Sequence, residues 1–347
     1  MLNSIQSLLD VFPEGAVHLR EGRVLAANRM ALRYLPGLTP GGSLPACILL
    51  PEEGEEGAGF FTAGSACYTY SCGPSGEDRV ILFRPAPQSA LTGRQLEGAL
   101  QQLRALLGEI LAEAGPAALP GGEFPAAAFS KSFHRLFRLT GNLEFMQRAA
   151  GEEGVPFHPV TMDLAGLCRR TARLAGDLLK ESGICLEYTS SLSGLLIPGD
   201  PELLQKLLLS LISNAAREAG QGWVGLSLSR QRDQARMIIS TGGGRPEARQ
   251  LTALFQQGTG DGLPLPGQGA GLGLSIARHI VTLHTGTLLT QWGDSGLSTA
   301  VALPTGPLDG YVSVRTPMAQ QDGGLDPVLT ELADLLPAGL FGWEGLD

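Results

Sequence analysis

Nothing in these 347 residues approaches the roughly 18–20 consecutive apolar residues that a membrane-spanning helix needs. The opening MLNSIQSLLDVFPEG also lacks the charged-then-apolar layout of a secretion signal, so the expectation is a cytoplasmic protein with no membrane span. Positive charge is scarce. The 25 Lys and Arg stand against 34 Asp and Glu, which leaves no broad basic surface to release counterions from a phosphate backbone and argues against a nucleic-acid partner. Cysteine is sparse and scattered. Cys47, Cys67, Cys72, Cys168 and Cys185 form an odd set with no CxxC pair, so a disulfide framework and a zinc site are both disfavoured and the thiols read as small apolar fillers. A strict repeat is missing too, because the 48 glycines and 23 prolines lie between periodic segments. The composition fits an ordinary globular protein, long enough for two or three domains that each bury a core.

Residues 1–88 predict a small α/β domain. An opening helix to about Val11 precedes alternating runs at Ala16–Leu19 and Arg23–Ala27, joined by a hairpin turn at Glu21-Gly22. Asn28 then caps a helical MALRYL. After a Pro/Gly/Glu-rich loop (Pro51–Gly59) come strand-like runs Phe60–Tyr70 and Arg79–Arg84, joined by a turn at Gly73-Pro74-Ser75-Gly76. The order of elements and the phrase EGAVHLREGRVLAANRMALRYL resemble a compact PAS sensor domain. Two roles stay open for it, a small-molecule sensor and a dimerising spacer without a ligand.

Residues 89–152 predict a helical hairpin. LTGRQLEGALQQLRALLGEILAEAG repeats Leu at helical spacing and stops at Gly115-Pro116, and a second helix runs from Ala126 to about Ala150 with Phe129, Phe133, Leu136, Phe137 and Thr140 on one face. Such stripes are economically buried against a second copy, giving a four-helix homodimer. The alternative is packing on the chain's own domains.

From Met162 the sequence predicts a long helix, a strand at Cys185–Thr189, a strand edge at Gly194–Ile197, and a helix opened by Asp200-Pro201 as cap and first position. Strands at Val224–Ser229 and Arg236–Ser240, a glycine-rich loop, a helix from about Leu272 and a last strand at Thr299–Leu303 follow, the pattern of a two-layer α/β sandwich. Three features in it bear on chemistry. Asn214 is a lone amide among leucines in LLLSLISNAAREAG, and its carbonyl oxygen is a hard neutral ligand suited to Mg²⁺. Ser240-Thr241-Gly242-Gly243-Gly244 ends a β-branched strand with glycines that let backbone approach a ligand. Gly267-Gln268-Gly269-Ala270-Gly271-Leu272-Gly273-Leu274-Ser275 runs straight into the helix SIARHIVTLH, presenting backbone N–H groups and a positive dipole end to phosphate oxygens.

In this fixed order the three features resemble the N box, G1 box and G2 box of the ATPase domain of sensor histidine kinases, a GHKL-type fold. The likeness spans about Met162–Pro304, with Phe255 in place of the F box and a Gly-rich lid at Gly258–Gly271. The chain is thereby divided into a PAS-like domain (1–88), a dimerisation and phosphotransfer hairpin (89–152), an ATPase domain (153–305) and an extension (306–347), an α+β protein throughout. The resemblance implies ATP and Mg²⁺ as cofactors. It makes Asn214 the metal ligand, and Asn214, Arg217, Ser240, Gly242, Gly244, Gly269, Gly271, Leu272 and Gly273 the nucleotide contacts. It also implies a response regulator or another signalling protein as partner.

The sequence departs from the family at the reacting groups. Ser240 stands where the G1 box usually has Asp. A hydrogen bond to a charged group contributes ~1.5–3 kcal/mol against ~0.5–1.5 for a neutral one, so nucleotide affinity falls roughly tenfold. Ser210, the first polar residue of the N box, is a poor general base where hydrolytic relatives carry Glu. Gln101-Gln102-Leu103-Arg104-Ala105-Leu106-Leu107 falls where the family has His-Glu-Leu-Arg-Thr-Pro-Leu, which puts Gln101 in the phosphoacceptor's place. An amide nitrogen with a delocalised lone pair cannot replace the imidazole nucleophile. His134 lies at the edge of a polar helix face and reads as a solvated flanking residue. His284 reads as a helix-end cation, and His18, His158 and His279 form no cluster.

The tail holds a strand-like run at Tyr311–Arg315 and an amphipathic helix, DPVLTELADLLPAGLF, striped by Leu329, Leu332, Leu335 and Leu336. Packing in cis is the expectation, with partner docking as the alternative. The function expected is a signalling protein that binds Mg-ATP with impaired or lost histidine autophosphorylation. Its rivals are an active kinase, on histidine or on serine in the manner of anti-sigma-factor kinases, and an interaction module that binds no nucleotide.

Overall fold

The structure is a computed structural model and describes residues 9–45, 47–63, 66–75, 78–86, 93–114, 125–242, 272–293, 296–306 and 325–342. The N-terminal part is an antiparallel sheet. Strands β1 (Gly15–Arg20) and β2 (Arg23–Ala27) form the expected hairpin, and Glu21 and Gly22 both take positive φ (50° and 75°), as a tight primed turn requires. Asn28 caps α1 (Arg29–Tyr34). Its Oδ1 accepts from the N–H of Ala31 (2.8 Å) and of Ala16 (2.9 Å), while its Nδ2 donates to the Glu14 carbonyl (2.7 Å), so one buried amide ties the helix to the sheet. The single run expected over Phe60–Tyr70 is two strands, β3 (Glu56–Ala63) and β4 (Ala66–Ser75), followed by β5 (Asp78–Pro85). Ala63 of β3 pairs with Ala66 of β4, a reversal that the run of flanking aromatics hides in the sequence. Tyr34, Phe61, Tyr68, Tyr70 and Phe83 fill the interior, their ring centroids 5.3–6.2 Å apart in six pairs. Most of the expected opening helix, and the tail run Tyr311–Arg315, lie outside the described residues.

The hairpin is α2 (Gly93–Ala114) and α3 (Ala126–Ala150), as the leucine and phenylalanine spacing predicts. One side of it, with Leu106, Leu139, Phe145 and Met146, joins the main core. The other side leaves Leu96, Leu100, Leu107 and Leu111 of α2 and Phe133 and Phe137 of α3 exposed, with Phe133 stacked on Phe129 at 6.0 Å and tilted against Phe137 at 5.4 Å.

The long helix expected from Met162 starts later. Residues Val160–Asp163 form β6, and Asp163 caps α4 (Leu164–Leu179), its Oδ1 accepting from Ala165 N–H at 3.1 Å. Next come β7 (Cys185–Ser190), β8 (Leu196–Gly199) and α5 (Pro201–Ala219). Asp200 caps α5 through the amides of Glu202 (3.1 Å) and Leu203 (3.2 Å). The remaining elements are β9 (Trp223–Gln231), β10 (Gln234–Thr241), α6 (Leu272–Leu283), β11 (Thr287–Gly293) and β12 (Gly296–Pro304). Helices α4, α5 and α6 bury their apolar faces on these strands, giving a two-layer α/β sandwich. The sequence did not mark β11. The strand pairs of the sandwich are antiparallel except β7 with β9, which is parallel.

The two sheets are continuous. Strand β11 pairs with β3, so ten strands run in the order β2-β1-β5-β4-β3-β11-β12-β10-β9-β7. At the seam, side chains alternate between two cores. Phe60 and Leu288 enter the core under the helices, and their neighbours Phe61 and Leu289 enter the N-terminal core. A Cβ on Gly59 would stand 2.1 Å from the Leu288 carbonyl oxygen, so no other residue allows this approach.

The tail packs in cis. Its helix α7 (Pro327–Leu332) is capped by Asp326 and is shorter than expected, because the chain turns before Pro337 and resumes as a 3-10 turn at Ala338–Phe341. Val328, Leu332, Leu336 and Phe341 are buried in the main core.

Candidate functional site

The start of α6 and the middle of α5 meet. A Cβ on Gly273 would lie 3.2 Å from Ser210 Oγ and 3.6 and 3.7 Å from Asn214 Nδ2 and Oδ1, so a bare backbone at Gly273 keeps this junction open. The junction borders a cavity of about 210 Å³. Its lining includes Ser210, Asn214 and Arg217 from α5, Leu272, Gly273 and Ser275 from α6, and Ile239, Leu297 and Thr299 from the sheet. Residues from outside the sandwich complete the wall. These are Phe60 and Thr69 from the N-terminal strands, Gln95, Gln102 and Arg138 from the hairpin, and Glu331 from the tail. Gln95 Nε2 donates to Ser275 Oγ at 3.1 Å, which fixes α2 beside the first turn of α6.

Of the residues singled out by sequence, Asn214, Arg217, Leu272 and Gly273 are brought together on this wall. Ser240 is not among its lining residues. Ile239, its neighbour on β10, lines the cavity, and alternation turns Ser240 to the other sheet face, where its Oγ lies 3.1 Å from the Cβ position of Gly225. Gly242 is exposed just past the end of β10. Gly244, Phe255, Gly269, Gly271 and the Gly258–Gly271 lid lie outside the described residues. Gln101 is exposed and is not among the lining residues, while its neighbour Gln102 is.

Arg217 has a partner that the sequence did not announce. Its Nη2 donates to Asp334 Oδ2 at 3.3 Å, and the same carboxylate takes Nε of Arg135 at 2.8 Å and Nη2 of Arg138. Burial pushes the Asp334 carboxyl upward, but the Arg138 charge and the hydrogen bonds from Arg135 and Arg138 outweigh it and hold the group below the ordinary carboxylate range. Arg217 is lowered by burial and by the like charge of Arg138. No pattern in the sequence linked the tail to these arginines, which lie 117 to 199 residues from Asp334.

The histidines correct two expectations. His134 is buried, not solvated: Nδ1 is 3.0 Å from Thr330 Oγ1, the ring meets Phe341 edge-on at 5.1 Å, and burial lowers its pKa. His284 is not a helix-end cation. Its Nε2 accepts from the Asp200 N–H at 3.0 Å while Nδ1 is 2.8 Å from the Ile280 carbonyl, an arrangement that only the neutral ring satisfies, and burial lowers its pKa as well. Among the described residues no group of three His, Cys, Asp or Glu is placed to hold a metal, and no helix is long and apolar enough to cross a membrane.

Comparison with known proteins places these features in context. The family model for the histidine kinase-, DNA gyrase B- and HSP90-like ATPase matches residues 199–306. The sensor protein CutS of Streptomyces coelicolor is 31% identical over 129 residues, covering 34% of this chain and 30% of that protein. The virulence sensor protein BvgS of Bordetella pertussis is 34% identical over 143 residues (38% and 11%), and the sensor histidine kinase CusS of Escherichia coli is 24% identical over 173 residues (49% and 35%). The chain thus spans little more than a third of these relatives at most. Among solved structures, the histidine kinase AdeS of Acinetobacter baumannii aligns over 62% of this chain and 99% of its own at 15% identity, with a TM-score of 0.47. The histidine kinase ThkA, in complex with response regulator protein TrrA, aligns over 87% and 98% at 16% identity, with a TM-score of 0.45.

Proposed function

We propose that this chain belongs to the sensor histidine kinase family, that it binds Mg-ATP in the cavity between α5 and α6, and that it acts as a dimeric signalling protein with impaired or lost histidine autophosphorylation; the ATPase model matched by residues 199–306 and the similarity to sensor kinases support this reading. The observation that carries the reading is the closeness of the Gly273 backbone to Ser210 and Asn214, which sets the N-terminus of α6 beside an amide of α5 that lines the cavity and suits a hard cation. The residues present fit the group. Asn214 would hold Mg²⁺, the backbone at Leu272 and Gly273 would face phosphate oxygens, and Leu211, Ala215, Ile239 and Leu297 offer apolar wall to a base. The ion, when bound, would supply charge neutralisation to the phosphates.

The chain's own residues limit the chemistry. Ser210, buried on α5, carries a hydroxyl where a base would be needed to activate water. Gln101 has no nucleophilic nitrogen to offer. The capped antiparallel sheet supports a PAS-like unit over residues 1–88, and the exposed leucines of α2 with the phenylalanine ladder of α3 support dimerisation through the hairpin. A response regulator or other signalling protein is the partner class this reading implies. Incubation with γ-labelled ATP, followed by acid and base treatment, tests it. The expectation is nucleotide binding with no acid-labile label. An acid-labile, base-stable label on the unmodified chain overturns the loss of autophosphorylation, and an acid-stable label marks a serine kinase instead.

A further inference from the structure

The cavity wall contains a charge arrangement that the ATPase fold alone does not require. Arg138 reaches the wall from α3 and Arg217 from α5, and both converge on Asp334 of the tail. Arg135 reaches the same carboxylate from outside and is also paired with Glu109. Arg138 and Arg217, two of the three arginines that line the cavity, therefore share a single carboxylate, while the third, Arg278, lies on α6. Arg138 is nearly buried, its side chain 9% exposed, and Arg217 makes one contact at 3.3 Å rather than the paired fork a guanidinium offers. Glu218 and Glu331 attract Arg217 through space, yet its largest influences are burial and the neighbouring positive charge. A phosphate has a greater charge than a carboxylate and more acceptor oxygens, so it satisfies two such donors better.

Resting on the reading that a nucleotide occupies this cavity, we propose that Arg138 and Arg217 form a phosphate clamp for which Asp334 is the built-in competitor, so that nucleotide phosphates draw the guanidiniums away and loosen the C-terminal strap, residues 326–341. The strap is poised for this. Arg138 also donates to the Glu331 carbonyl at 3.0 Å, so its movement breaks two attachments at once. What stays is the Arg135 bond to Asp334 (2.8 Å), the His134 contact with Thr330 (3.0 Å), the bonds of Ser213 to the Glu331 carbonyl (3.4 Å) and of Ser182 to the Leu335 carbonyl (2.7 Å), and the burial of Leu332 and Phe341, which keep the strap near its site. Nucleotide occupancy is thereby coupled to the surface where the tail joins the hairpin to the ATPase domain.

Hydrogen exchange of the full wild-type chain, with and without saturating Mg-ATP and with binding measured calorimetrically on the same sample, tests the proposal. Exchange of the amides of residues 327–336 accelerates several-fold with nucleotide if the clamp changes partners. Binding with unchanged or slower exchange there overturns the strap while leaving the nucleotide site intact, and no binding at all removes both. As a second arm, Asp334→Asn, having lost the competing charge, binds ATP about tenfold more tightly and Arg138→Ala binds it more weakly. Unchanged or weaker affinity in Asp334→Asn also overturns the proposal, and the wild-type exchange result decides it if that variant does not fold.

Discussion

The imidazole of His284 and the backbone N–H of Asp200 are 3.0 Å apart, with the ring nitrogen as acceptor, and this contact locks the last turn of α6 to the cap of α5 only while the ring is neutral. His134 and His279 share the direction of shift, lowered by burial and, for His279, by Arg278. In each case the unfolded chain takes up a proton near the ordinary histidine pKa of about 6.5 before the native chain does, so stability rises with pH through that window and levels off above it. The slope is at most about 1.4 kcal/mol per pH unit for each histidine. Chemical denaturation from pH 5 to 7.5 should show this rise, and His284→Gln should make it shallower, with the share of His134 and His279 remaining. Asp334 adds a loss at lower pH, because its depressed native pKa keeps the carboxylate charged until pH falls below the ordinary carboxylate range.

Gly59 sets the joint between the two halves of the sheet. Gly59→Ala puts a methyl group 2.1 Å from the Leu288 carbonyl oxygen, so β3 and β11 must part or shift. The expected cost is about 1–3 kcal/mol. Loss of amide protection should concentrate in Glu56–Ala63 and Thr287–Gly293, and uniform destabilisation with the seam still protected would contradict it.

How far the sequence reveals these features depends on whether local signals or long-range packing decide them. Asp200-Pro201 marks the start of α5 because capping is a local event, and the leucine spacing marks α2 for the same reason. Strand β11 escapes notice because Leu288 and Leu289 are both buried, on opposite faces, which erases the alternation that betrays a half-exposed strand. His134 and His284 are misread because helix position fixes neither burial nor partners, which come here from the tail and from the cap of α5. At the candidate site, Asn214 and Gly273 are legible as a motif. Arg138, Gln95, Phe60 and Asp334 are not, since each comes from a segment brought near only by the complete fold.

The exposed stripe of the hairpin should hold two chains together. Leu100→Glu combined with Leu107→Glu places charges on the outward face of α2 without touching the buried Leu106. Light scattering should report a dimer for the wild type and a monomer for the pair. A dimer that survives both changes would place the interface elsewhere.

Gln101→His restores a nucleophile where the resemblance puts the phosphoacceptor. It should gain acid-labile label from γ-labelled ATP if the rest of the machinery is intact. His134→Ala should change stability rather than labelling, because that ring is buried against Thr330 and Phe341.

Calorimetric titration of the wild-type chain with ATP in the presence of Mg²⁺, run beside Asn214→Ala, bears most directly on the central claim that the cavity at Asn214 and Gly273 is a nucleotide site. The account predicts saturable binding of one nucleotide per chain, lost or weakened by at least tenfold in the variant. No heat of binding in a folded wild type, or equal affinity in Asn214→Ala, would contradict it.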